Sequence, residues 1–498
     1  MARPSARSDI LESSLRIPTG VDGLDDILSG GLPRHRIHLV EGDPGTGKTT
    51  LALQFLLEGV KLGESGLYVT LSETKEELIA VARSHGWSLD ALTICELTVP
   101  EETLKPESQY TLFHPSEVEL GETTKTVLDE VERVQPTRLV FDSLSEMRLL
   151  ARDPLRFRRQ ILAFKQFFIG RQCTVVLLDD RTSEVDSLAT GVIVLEHLAP
   201  QYGAERRRLR VQKLRGTKFR RGYHDFMIRT GGLQIFPRLV AAEHRHTLTP
   251  RPLSSGITAF DALLGGGVDR GTSTLLIGPA GVGKSSLAAQ YASAAADRGE
   301  RAAMFIFDES RAVFLARAAG LGMSLPRHVA SEQITLRQID PAELSPGEFV
   351  SAVREVVERE APSVVVIDSL NGYLNAMPEE QFLTLQLHEL LAYLAHHDIV
   401  TIFVVAQHGL LGAGMQTVVD VSYLADTVVI FRYFEAAGQV RQAVSVLKKR
   451  TGYHERTIRE LSLRPGTIAV GEPLHRFEGG LTGVPRSRAD GANATPPV

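Results

Sequence analysis

Two stretches of the chain, Gly42-Asp43-Pro44-Gly45-Thr46-Gly47-Lys48-Thr49 and Gly278-Pro279-Ala280-Gly281-Val282-Gly283-Lys284-Ser285, share the spacing G-x-x-x-x-G-K-[ST]. Residues of these types at this spacing can grip a chain of phosphates. The glycines let the backbone wrap closely around an anion with its N–H groups turned inward, and the helix opening at the lysine adds partial positive charge. Lys48 and Lys284 are placed to reach the β- and γ-phosphates of a nucleoside triphosphate. The hydroxyls of Thr49 and Ser285 are placed to enter the shell of a Mg²⁺ ion, while Thr50 and Ser286 complete the two segments.

A second set of groups is acidic. Leu139–Asp142 and Val364–Asp368 each end an apolar run on an aspartate. A carboxylate at the C-terminal end of a buried parallel strand lies where nucleotides sit in open α/β sheets, so Asp142 and Asp368 are expected to hold the metal shell. Ser143 and Ser369, next in the chain, suit a helix-capping role. Glu73 in LSET, and Asp308 with Glu309 in FDES, close the strand that follows each phosphate-loop helix. A carboxylate there can orient water toward a γ-phosphate, and a doublet can also take the proton of a hydroxyl that receives the phosphoryl group. The spacing leaves both chemistries open. No arginine is evident beside either phosphate loop, so compensating charge is expected from elsewhere.

Both motifs belong to a longer repeat. The segment IPTGVDGLDDILSGGLPRHRIHLVEGDPGTGKTTLALQF lies without a gap over LSSGITAFDALLGGGVDRGTSTLLIGPAGVGKSSLAAQY, with 236 residues from Lys48 to Lys284. Asp142 and Asp368 repeat at 226 residues, a difference that loops absorb. So long a period marks duplicated domains, because solenoid units run roughly 20–50 residues. Within each half, apolar runs alternate with helical patterns: IHLVEG, TTLALQFLLEGVKLG, LYVTLSE, and then TLLIGP, SSLAAQYASAAADRG, AMFIFDE. RLVFD, TVVLLDD, SVVVID and IVTIFVV read as strands buried on both faces of a parallel sheet. The expected fold class is α/β: two tandem P-loop NTPase domains, each with a mainly parallel central sheet flanked by helices. AERRRLRVQKLRG and QVRQAVSVLKKR are expected to add antiparallel strands. The boundaries expected are 1–240, a linker at 241–255, 256–478, and a disordered tail at 479–498.

Composition narrows the class. A 43% hydrophobic and 23% charged chain of 498 residues can build two substantial cores. With only Cys95 and Cys173 there is no disulfide framework, and no Cys/His cluster has zinc spacing. No apolar stretch reaches the ~20 residues of a membrane span, so a cytoplasmic protein is expected. The net charge of −5 gives no global attraction to nucleic acid, although Arg206–Arg221 is locally basic.

On these residues the chain resembles the KaiC family of circadian clock proteins and their bacterial relatives over nearly its whole length. The likeness rests on TGVDGLDDILSGGLP and SGITAFDALLGGGV, the SET and DES strand ends, VVVIDSLNGY, KLRGT, and SYLADTVVIFRYFEAAGQVRQAVSVLKKRTGYHERTIREL. The resemblance implies a double RecA-like ATPase that forms a two-tiered homohexamer, with ATP and Mg²⁺ bound between neighbouring subunits. In the family the first ring hydrolyses ATP slowly. The second is a serine/threonine autokinase that can also return phosphate to ADP.

Transferred by position, the second domain's acidic pair falls on Asp308 and Glu309, with Asp308 as general base, where the family pattern is two glutamates. The first domain's falls on Ser72 and Glu73, leaving Glu73 to orient water. Lys213 and Arg215 match one trans-acting basic pair, and Lys448 and Arg450 the other, with Thr451 where the family usually has glycine. The family's phosphoacceptors fall on Ser422 and Tyr423; the serine is kept and the threonine is replaced. Arg206, Arg207 and Arg208 are expected on an exposed strand or turn. The short final stretch argues against a KaiA-like activator, whereas a KaiB-like partner fits the resemblance, and no membrane or nucleic-acid partner is expected. The favoured reading is a hexameric ATPase and autokinase that acts as a timer or regulator. The alternatives are a DNA-stimulated recombinase- or helicase-type ATPase and an ATP-assembled scaffold.

Overall fold

The computed structural model describes residues 15–97, 115–180, 185–199, 203–244, 251–340, 342–375, 383–407, 422–436 and 438–475, with short strands at 477–478 and 486–487. The chain divides into two compact units between Arg238 and Leu239. Of the expected linker, residues 245–250 lie outside the described residues; so does the expected tail apart from Arg486–Ser487, which pairs with Phe477–Glu478.

The first unit is built on a nine-stranded sheet. From one edge its strands are Gly232–Phe236, Tyr223–Arg229, Arg206–Leu214, Gly191–Leu198, Ile37–Gly42, Thr174–Asp179, Arg138–Asp142, Gly66–Thr70 and Thr93–Glu96. The strands from Gly191–Leu198 to Thr93–Glu96 are mutually parallel, and the remaining three add on antiparallel. Helix Lys48–Lys61 covers one face, over a core that includes Leu53, Phe55, Val140 and Ile193. Helices Pro115–Val134, Leu144–Ala151 and Pro154–Phe168 lie on the other side of the sheet, over Phe141, Phe157, Ile161 and Val175. Burial on both faces explains why these strands carry unbroken apolar runs.

The second unit repeats the plan. Its order is Ile334–Gln338, Ala302–Ile306, Val364–Asp368, Val400–Ala406, Ser273–Gly278, Thr427–Ala436, Gln439–Lys449, Arg459–Arg464 and Thr467–Pro473. The sheet is parallel through Thr427–Ala436 and antiparallel beyond it. The helix after its phosphate loop, Lys284–Asp297, is rich in alanine and buried nearly all round, so small side chains let it lie close to the sheet.

Register levels the ends of the central strands. Asp142 pairs with Thr70 and with Leu178, and Asp179 pairs with Glu41, one residue before the first loop. In the second unit Asp368 pairs with Ile306 and Val404, and Ala406 with Gly278. Phosphate loop and acidic strand ends therefore open on one side of each sheet. Arg138, wholly buried at the start of its strand, ties this layout to the loop helix: it ion-pairs with Glu64 at 2.6 Å and donates to Phe55 O at 2.7 Å and Pro18 O at 2.8 Å. Removing it would strand these acceptors in the core.

His38, in the phosphate-loop strand, and His224 are buried, and burial pulls both imidazoles down to about 4. In the unfolded chain they take up protons near 6.5, so the unfolded state binds more protons between those values. The first domain should therefore lose stability as pH falls from about 6.5 to about 4, by roughly 1 kcal/mol per pH unit for each histidine. Denaturant midpoints measured against pH check this, and replacement of both histidines by glutamine should flatten that part of the profile.

Candidate nucleotide sites

Each phosphate loop leaves its strand and turns into a helix through a glycine that no other residue could replace without strain. Gly47 has φ 100° and Gly283 φ 106°, in the left-handed region that favours glycine. At the start of the second loop a Cβ on Gly278 would lie 2.5 Å from Phe431 O. The following helices present their first N–H groups to the loop, which makes an anion cradle.

The lysines show what the cradle accepts. Lys48 Nζ donates to Gly42 O, to Asp43 O at 3.3 Å and to Asp180 Oδ1 at 3.3 Å. Lys284 Nζ donates to Gly278 O at 2.8 Å and Pro279 O at 2.6 Å, and burial lowers its ammonium to about 8. Both are cations folded onto their own loop carbonyls, the arrangement expected of groups whose natural partner is an anion at the mouth. Around the second loop lies a cleft of about 580 Å³, lined by Gly281, Gly283, Lys284, Ser285, Glu309 and Arg317 among others.

The metal-binding set fits Mg²⁺ in both domains. Asp142 carries a hydrogen bond from Tyr68, whose hydroxyl donates to its Oδ2 at 2.6 Å, yet burial still raises its carboxyl above the usual range. Burial likewise raises Asp368 to about 6, against a hydrogen bond from Ser285 and the charges of Arg317 and Lys284. A hydroxyl and a buried, partly destabilised carboxylate side by side would gain from a hard dication. Glu73 stands close by: Thr49 Oγ1 donates to its Oε1 at 3.5 Å, its Oε2 is buried without a partner among the described atoms, and its carboxyl is raised first by burial and then by Asp142.

The structure brings Lys48, Thr49, Glu73 and Asp142 together, and Lys284, Ser285, Asp308, Glu309 and Asp368. Ser369 Oγ donates to Asp308 and accepts from Gly372 N at 3.3 Å, so it caps the helix Leu370–Asn375. Ser143 makes no such cap and bonds Ser145 Oγ at 2.6 Å instead. The peptide bond before each serine is cis.

The basic pairs lie elsewhere. Lys213 pairs in register with Val192, toward the start of Gly191–Leu198, whereas the phosphate loop meets Leu195. Its Nζ donates to Asp186 O, and Arg215 Nη2 to Ser187 O at 3.0 Å. Lys448 pairs with Val428, at the start of Thr427–Ala436 and away from Gly278. Lys448 Nζ donates to Ser422 O at 3.1 Å and Ala425 O at 2.7 Å; Arg450 bonds Tyr423 O at 2.8 Å and Asp426 Oδ1 at 3.2 Å. Each pair thus stands at the opposite end of the sheet from its own cradle, and the second pair holds the backbone of Ser422 and the exposed Tyr423. Arg206–Arg208 lie on a strand, but half-buried rather than exposed: Arg207 pairs with Glu205, and Arg208 with Glu196 while stacking on Tyr223.

One expectation is corrected. An arginine does stand beside a phosphate loop of its own domain: Arg317 Nη1 donates to Ser286 Oγ at 3.0 Å and Nη2 to Glu309 at 2.6 Å. It sits two turns into the helix Arg311–Gly320, outside any motif, and the repeat offset places Val81 opposite it. A charge facing an apolar residue at matched repeat positions is the signal that would have found it. Asp180, the partner of Lys48, was equally unmarked; it ends the carboxylate doublet next to the loop strand.

A family model described as "ATPase: KaiC" matches residues 17–240 and again 253–475. The chain belongs to the KaiC ATPase family. Among relatives, the circadian clock oscillator protein KaiC of Synechococcus elongatus is 27% identical over 97% of this chain and 94% of its own length. That of Thermosynechococcus vestitus is 27% identical over 94% and 92%. The circadian clock protein KaiC3 of Synechocystis is 25% identical over 94% of each chain. ATP binding follows for this KaiC-family chain, and no described helix is long and apolar enough to cross a membrane.

Because each cradle has its own lysine, Lys48→Ala and Lys284→Ala should each halve the number of ATP molecules bound per chain, and the double variant should abolish binding. Equilibrium dialysis with labelled ATP measures this directly.

Proposed function

We propose that the two cradles divide the work of a hexameric KaiC-type regulator: the first, in residues 1–240, hydrolyses ATP, and the second, in residues 256–478, transfers the γ-phosphoryl group to Ser422 of the adjacent subunit. The observation that supports this best is the placement of the basic pairs. Lys213 with Arg215, and Lys448 with Arg450, stand at the far end of the sheet from their own phosphates, where a neighbour in a ring could receive them. Such charge on a transferred phosphoryl group is worth ~10³–10⁵ in rate in efficient NTPases. Bound Mg²⁺ would neutralise charge on the phosphate oxygens, held by Thr49 and Asp142 or by Ser285 and Asp368.

At the first site Glu73 orients the attacking water. At the second, Ser422 Oγ attacks the γ-phosphorus, the new O–P bond forms as the bond to the β,γ-bridging oxygen breaks, and ADP leaves with that electron pair. Asp308 takes the hydroxyl proton. Tyr423 offers a second hydroxyl, set several ångströms further from the backbone than a threonine's. The relatives' names support a timing role, and a KaiB-like partner at the first ring fits the family resemblance.

Glu73→Gln should lower first-site hydrolysis by ~10²–10⁴-fold while ATP still binds, as measured by phosphate release in a Lys284→Ala background. Phosphopeptide mass spectrometry after incubation with MgATP should find label on Ser422, lost in Ser422→Ala and in Asp308→Asn. A fully unlabelled wild-type peptide would rule out this acceptor. Mass measurement in solution with and without ATP tests the hexamer.

A further inference from the structure

We infer that Arg317 is a phosphate-contacting residue of the second site, supplied by the same chain, and that Glu309 is its counter-ion rather than a second base. The inference rests on the second cradle being a nucleotide site.

An ion pair between partly exposed side chains is ordinarily worth little. Three further observations set this one apart. Arg317 reaches past Glu309 to Ser286 Oγ, and Ser286 is buried in the first turn of the helix whose N-terminus forms the cradle. The guanidinium is held over the ring of Phe314 at 5.0 Å and lines the cleft with Gly281, Gly283, Lys284 and Ser285. Among the described residues two bonds of its planar fork are used, to Ser286 and Glu309, and such a fork matches phosphate oxygens.

The first domain offers the internal control. At the matched positions it has Val81 for Arg317 and Glu73 for Glu309. Without an arginine to pair with, Glu73 turns to Thr49, whose hydroxyl is the one placed for the metal shell. In the second domain Arg317 draws Glu309 off that line, while Asp308 is held by the hydroxyl of Ser369, the residue next to Asp368. A phosphate entering the cleft competes with Glu309 for the guanidinium. Glu309 therefore weakens binding by holding the cation and by repelling the anion.

The test uses the full chain carrying Lys48→Ala, so that only the second cradle can load, titrated with fluorescent ATP and ADP in the presence of Mg²⁺. Arg317→Gln should weaken ATP binding about tenfold, the size of one charge-assisted hydrogen bond. Arg317→Lys should recover part of the loss. Glu309→Gln should bind ATP at least as tightly as the parent. Unchanged affinity in Arg317→Gln, or a loss in Glu309→Gln equal to that in Arg317→Gln, would overturn the assignment; the second result marks the pair as a structural clamp. The Glu309→Gln measurement stands even where Arg317→Gln fails to fold. No binding by the Lys48→Ala parent would instead refute the second cradle itself. In a Lys284→Ala background, Arg317→Gln should leave first-site binding as it was.

Discussion

The structure depends on one electrostatic requirement, repeated once: an ammonium, half-buried at Lys48 and buried at Lys284, at the mouth of a loop whose N–H groups point inward. Concentrating positive potential in a partly desolvated place is tolerable only where an anion comes to meet it. The loop must bend through left-handed glycines, which confines it to Gly47 and Gly283 at the bend. A helix must open at the lysine, and the neighbouring strands must end level with the loop for Asp142 and Asp368 to face the hydroxyls of Thr49 and Ser285. Parallel pairing supplies the levelling, and helices on both faces supply the burial. The apolar strands, the Ala-rich helix and the Arg138 anchor serve that geometry.

The same scaffold carries two different charge environments. Around the first loop stand Glu73, Asp142 and Asp180 against Lys48. Around the second stand Asp308, Glu309 and Asp368 against Lys284 and Arg317. The register also places Val405 and Ala406 where the first domain has Asp179 and Asp180. The second cradle is thus the more electropositive relative to its acids. Backbone geometry is nearly duplicated, so side chains outside the loop must account for any division of labour between the sites.

The parts of the site that follow from local chemistry were legible in the sequence. A phosphate loop is a contiguous backbone device, and a strand ending on aspartate at the right distance behind it has few other uses. The alternation of apolar runs and helical patterns likewise revealed the parallel sheets, because burial on both faces leaves no polar positions in a strand. Arg317, Asp180 and Tyr68 were not legible in the same way. Each reaches its place through sheet register or a helix two turns removed from any motif, so its partner is known only once the elements are stacked. The half-burial of Arg206–Arg208 is not legible either, since a run of arginines reads as a solvated face until Glu196, Glu205 and Tyr223 are set beside it.

Lys448 and Arg450 now bond the carbonyls of Ser422, Ala425 and Tyr423, so cations and acceptor backbone already form one cluster. A phosphate placed on Ser422 brings about −1.5 to −2 charges and three strong acceptor oxygens into that cluster. These oxygens compete for the same ammonium and guanidinium groups more strongly than neutral carbonyls do. In the proposed ring, those groups also serve the neighbour's nucleotide, so a phosphorylated Ser422 would draw charge away from the site that modified it. Product and catalyst would then be coupled through two side chains, without any need for a signal crossing the domain.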